Sequence, residues 1–98
     1  MLRFEAVVRP QKAEVVCLRL LEAGFVDELE AREILGSGRR ADGPTELPVI
    51  DTLPKAMIAG YIEDEDTDAL IDLICTHART GRIGDGKLWL YRVEAIAG

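Results

Sequence analysis

Gly81, Gly84 and Gly86 fall within seven residues that end on Lys87, in the segment Thr80-Gly81-Arg82-Ile83-Gly84-Asp85-Gly86-Lys87. An apolar run, Leu88-Trp89-Leu90, follows directly. Glycine admits positive φ and lets backbone amides approach a ligand closely. Successive exposed N–H groups form a concavity for anions, and a lysine beside it adds a point charge. That is chemistry suited to phosphate. The spacing is not that of a Walker loop, which sets four residues between its two glycines and then needs Lys-Ser/Thr. The same glycines also suit a turn that joins a helix to a strand, and spacing alone leaves both readings open.

Other chemistries find less material. Nucleophilic catalysis needs a nucleophile beside a base, and general acid–base work needs carboxylates in a pocket. The chain offers Ser37, Cys17, Cys75 and a single histidine, His77, and no spacing groups them. No catalytic residue is assigned. Cys17 and Cys75 fall on helix faces without a second ligand at metal spacing, so both read as buried free thiols and no metal site is assigned. His77 follows Cys75 by two residues, which places it on another side of a helix, and it reads as a surface residue. The acids from Asp27 to Glu33 and from Glu63 to Asp68 read as solvated faces. Arg39-Arg40 form a small basic spot.

The bulk numbers fit one small domain, residues 1–98, with a formal net charge of −6. A chain this size buries roughly 65% of its unfolded surface, so its core has little margin and association would help it. The negative charge argues against nucleic acid as a partner. No apolar stretch reaches the length of a membrane span, so no membrane insertion is expected. The first residues lack the apolar core of a signal peptide, which makes the cytoplasm the expected location.

The elements that must position the glycine segment follow from periodicity. Leu2 to Arg9 alternates as a half-buried strand, with Phe4, Ala6 and Val8 on one side. Ala13, Val16, Cys17, Leu20 and Leu21 mark an amphipathic helix, which Gly24 caps. Asp27 to Leu35 has helical propensity, yet Leu29, Ala31 and Leu35 share a side at period two. Gly36 to Pro54 is the only long irregular stretch, rich in glycine and proline, and a loop of that length in a small domain is usually functional. Ala56 to Ile62 reads as a buried strand. Asp66 or Thr67 caps a second helix with Leu70, Ile71, Ile74, Cys75 and Ala78 on its core face. Lys87 to Val93 is the last strand.

Thr80 to Lys87 closely resembles the C-terminal signature of the PII signalling family. Phe4-Glu5-Ala6-Val7-Val8-Arg9-Pro10-Gln11-Lys12 resembles that family's opening strand and turn. Gly36-Ser37-Gly38-Arg39-Arg40 resembles the base of its T-loop, and Leu53-Pro54-Lys55-Ala56-Met57-Ile58 resembles the strand that re-enters after it. The four motifs keep the family's order over nearly the whole chain. The resemblance makes Asp27 to Leu35 a strand. It implies an α+β, ferredoxin-like βαββαβ fold, a four-stranded antiparallel sheet with two helices on one face, assembled as a homotrimer. It implies a signalling protein, not an enzyme, that binds adenine nucleotide in clefts between subunits. Carried over by motif, Thr80, Gly84, Asp85, Gly86 and Lys87 belong to the B-loop (80–87), with Lys87 on the phosphates. Gly36, Ser37, Gly38 and Arg39 form the opposite lip, at the base of a T-loop segment (36–54) through which a target protein is met.

The departures carry their own implications. Thr45-Glu46-Leu47-Pro48-Val49-Ile50-Asp51 contains no tyrosine, so the usual modified residue of the family's loop is missing there. Arg40 stands where typical members have a glutamine that helps hold Mg²⁺ and 2-oxoglutarate. Typical members continue past the last strand to two arginines that reach a neighbour's phosphates, where this sequence reads Glu94-Ala95-Ile96-Ala97-Gly98. The expectation is a divergent sensor with a short T-loop, favouring ADP or AMP over ATP. Members of the PII-like group with shortened loops include proteins of inorganic-carbon handling, some associated with carboxysomes, and bicarbonate would suit Arg39 and Arg40. Two other classes stay open. One is a structural or protein-interaction trimer with a decayed nucleotide site. The other is a small-anion or metal-binding trimer on the same scaffold.

Overall fold

The computed structural model describes residues 1–39, 50–81 and 86–94, and of residues 35–39 and 50–53 the backbone only. The elements run β1 (Leu2–Val8), α1 (Pro10–Ala23), β2 (Glu30–Arg39), β3 (Ile50–Ile62), a 3₁₀ turn (Asp64–Asp66), α2 (Thr67–Ala78) and β4 (Gly86–Arg92). The four strands form one sheet in the order β2-β3-β1-β4, and every neighbouring pair is antiparallel. This is the ferredoxin-like βαββαβ plan.

Alternation along β1 decides which face is covered. Phe4, Ala6 and Val8 are buried, and across the ladder they meet Gly60, Ile58 and Ala56 of β3. Val16 and Leu20 of α1 and Leu70, Ile74 and Ala78 of α2 join the same core. Both helices therefore pack on one face of the sheet. Phe4, Leu20, Ile58 and Leu70 are fully buried, and each such side chain contributes about 1.5–3 kcal/mol. The other face carries Tyr61, Trp89 and Tyr91, all exposed.

The helix ends obey local chemistry. Pro10 opens α1, where its missing N–H costs nothing. Gly24 closes it at φ 82°, and its N–H donates to the Leu21 carbonyl at 3.2 Å. Before α2, the Thr67 hydroxyl donates to the Asp64 carbonyl at 2.8 Å, while the Asp66 side chain caps nothing. The Asp64 carboxylate takes the Met1 amine at 3.0 Å and Arg92 at 3.2 Å. These two partners, the amine first, hold its pKa below the usual carboxylate range.

Several expectations change. The stretch from Gly36 to Pro54 is not irregular at its ends: Gly36 pairs Leu53, Ser37 pairs Thr52, Gly38 pairs Asp51 and Arg39 pairs Ile50. A ladder already in register continues cheaply where each side offers free backbone groups. The expected strand from Ala56 thus begins six residues earlier, at Ile50. Residues 27–29 do not belong to β2, which starts at Glu30. Leu29 packs against the core as expected, but Ala31 is exposed. Cys75 is also exposed and Leu21 is 48% exposed, because each sits at the border of its helix's apolar stripe.

Candidate functional site

β1 and β4 reach the end of the sheet together, where Val8 pairs Gly86 and Val7 pairs Lys87. The C-terminal turn of α2 lies beside them. Between these elements is a cavity of about 170 Å³. Val7, Val8, Ile74, Ala78 and Leu88 give it apolar walls, and Cys75, Gly86, Arg79 and Lys87 complete the lining. No carboxylate is among these lining residues. Lys87 and Arg79 are exposed, and neither forms an ion pair among the described residues. Among the described residues the lining is thus mostly apolar with two cations, on a chain whose net charge is −6.

The glycines divide by role. Gly81 sits at φ 82°, where any side chain would be strained. It turns the chain after α2 and Thr80. A Cβ on Gly86 would collide with the Val7 carbonyl oxygen, so strand pairing alone demands glycine there. Gly84 and Asp85 lie outside the described residues.

Gly36, Ser37, Gly38 and Arg39 end β2. Arg40 lies outside the described residues. Their strand and β4 occupy opposite edges of the sheet, three strand spacings apart. That is about 14 Å at the usual spacing. The antiparallel register carries both groups to the same end of the sheet. Of the predicted residues, Gly86 and Lys87 come together at the cavity, whereas the 36–39 group stands at the far edge. Sequence reasoning missed Val7 and Arg79. Arg79 follows Ala78, the last buried residue of α2, so the end of the helical period marks its position.

On the open face a polar cluster spans all four strands. Arg3 reaches Glu30 at 3.3 Å and Glu5 at 3.6 Å, and its guanidinium lies 5.3 Å from the centre of the Tyr61 ring. Tyr91 bonds Glu5, and desolvation together with that carboxylate raises the phenol's pKa. Among the described residues, no group of three or more His, Cys, Asp or Glu side chains could hold a metal ion. None of their helices is long and apolar enough to cross a membrane.

The fold and the glycine-lysine corner define a small α+β regulatory domain of the P-II kind. The family model for nitrogen regulatory protein P-II matches residues 1–97, and the chain belongs to that family. It is 38% identical over 101 aligned residues to the nitrogen regulatory protein P-II of Rhizobium meliloti, covering 98% of this chain and 88% of that protein. It is 39% identical over 99 residues to the P-II protein of Rhodobacter capsulatus, covering 96% and 87%. It is 38% identical over 89 residues to the nitrogen fixation nifHD region glnB-like protein 1 of Methanococcus maripaludis, covering 91% and 84%. Members of this family are regulatory signalling proteins rather than enzymes.

Proposed function

We propose that this chain is a sensor that binds an adenine nucleotide in clefts between the subunits of a homotrimer and signals to a target protein through residues 36–54. The observation that carries this is the cavity at Gly86 and Lys87, the two motif residues that the register sets beside Val7 and Val8. Its apolar walls suit a base or sugar face, and Lys87 suits phosphate.

Two further features support an assembly. Tyr61, Trp89 and Tyr91 stand exposed on the sheet face that no helix covers, and a sheet face of that kind is normally packed against another layer. The two lips named by the motifs lie at opposite edges of one sheet, so an edge of one subunit beside the opposite edge of the next would bring such lips together. Residues 36–39 and 50–53 carry the connecting segment on a paired ribbon, which links an event at Arg39 to the sheet. Bicarbonate is the small anion this proposal sets beside Arg39 and Arg40, with inorganic-carbon metabolism in the cytoplasm or at a carboxysome as its setting. What supports that extension is the resemblance of the short loop.

Calorimetry with AMP, ADP, ATP, 2-oxoglutarate and bicarbonate tests the reading. Adenine nucleotide should bind, and Lys87→Ala should weaken it by about 1.5–3 kcal/mol, the worth of one charge-assisted hydrogen bond. No heat with any nucleotide would remove the sensor reading. Light scattering at micromolar concentration should give three times the 10.8 kDa chain mass; a monomer would remove the inter-subunit cleft.

A further inference from the structure

We propose that Arg79 is a second anion-contacting residue of the cavity, acting with Lys87 on the negatively charged end of the ligand. This rests on the nucleotide reading for the ligand's identity but not for its charge. Arg79 is the residue immediately after α2, and Lys87 is the second residue of β4. The end of α2 lies beside the start of β4, so two residues eight apart in sequence line one cavity of about 170 Å³. Neither is neutralised by a carboxylate among the described residues, although the chain has 18 acids against 12 lysines and arginines. Exposed Arg19 and Arg92 each find an acid, Glu22 and Asp64. Among the described residues no acid lines the cavity beside Arg79: the other walls are Val7, Val8, Ile74, Ala78 and Leu88 with Cys75 and Gly86.

The chemistry of the pair is complementary. A guanidinium presents a planar fork that binds two oxygens of one phosphate or carboxylate, while an ammonium acts as a point charge. A doubly charged terminal phosphate can satisfy both. Cys75, exposed in the same lining, reports occupancy, because a ligand held between Arg79 and Lys87 covers its thiol.

The test compares the full-length chain with Arg79→Gln and Arg79→Lys by calorimetry. Circular dichroism checks that each variant folds, which an exposed residue beyond the helix should permit. Arg79→Gln should weaken ADP about tenfold, Arg79→Lys should recover part of that loss, and adenosine, which has no phosphate, should bind all three alike. Saturating ADP should also slow iodoacetamide labelling of Cys75 in the wild-type chain. Equal ADP affinity in wild type and Arg79→Gln, or Cys75 labelling that ADP leaves unchanged, overturns the proposal. If the wild type binds no adenine nucleotide, the sensor reading fails by itself, and pyrophosphate decides the role of Arg79. Pyrophosphate binding that Arg79→Gln loses upholds the anion contact, and binding that it keeps, or none at all, overturns it.

Discussion

The carbonyl oxygen of Val7 occupies the space that a Cβ on Gly86 would need. Gly86 is therefore fixed by the β1–β4 ladder before any ligand is considered. Gly86→Ala should destabilise the fold by about 1–3 kcal/mol or more, since a crowded site must shift backbone rather than a side chain. Urea denaturation measures this. Unchanged stability would show that β4 starts elsewhere. Nucleotide affinity measured on that variant would conflate folding with binding, and Lys87→Ala is the cleaner probe.

Gly60 makes a second close approach. A Cβ there would stand 3.0 Å from Phe4 Cε1 and 3.1 Å from the Glu28 carbonyl oxygen. Phe4 is fully buried and cannot swing away. Gly60→Ala should cost about 1–3 kcal/mol, read as a lowered melting temperature. A variant as stable as wild type would mean that the Phe4 ring has room the packing does not show.

Leu18 and Leu20 lie two residues apart on α1 with opposite environments, 51% and 0% exposed. Leu20→Ala should cost about 2–5 kcal/mol through lost burial and a cavity. Leu18→Ala should stay within about 0.5 kcal/mol. Similar losses at both positions would mean that Leu18 is covered in the assembled protein.

The two thiols should react at different rates. Burial pushes the Cys17 thiol pKa up, and the thiolate is the reactive form. Cys75 is exposed. Iodoacetamide near neutral pH should label Cys75 first, and raising the pH toward the elevated Cys17 value should accelerate Cys17. Mass spectrometry of timed digests checks the order; Cys17 reacting first would contradict the packing of α1.

Periodicity made much of this fold legible. Phe4, Ala6 and Val8 alternate, and Val16 with Leu20 and Leu70 with Ile74 repeat at helical spacing, because a one-sided core imposes those periods. Gly24 was legible as a cap for the same local reason. The extension of β2 and β3 through Gly36–Arg39 and Ile50–Pro54 was not. Glycine and proline there signal a loop, and the ladder's continuation is a property of two strands already paired, which neither segment records alone. At the cavity, Gly86 and Lys87 were found by motif. Val7 and Arg79 were missed because their part depends on which strand and helix end lie alongside.

The β2–β3 ribbon has a consequence for how this chain tolerates change. Its rungs run unbroken from the Glu30–Ala59 pair to the Arg39–Ile50 pair. A residue gained or lost within 36–39 or 50–53 shifts the register of everything beyond it and turns each side chain to the opposite face. The ribbon thus locks the lengths of 36–39 and 50–53 to one another: a change on one side must be matched on the other if the rungs are to keep their faces.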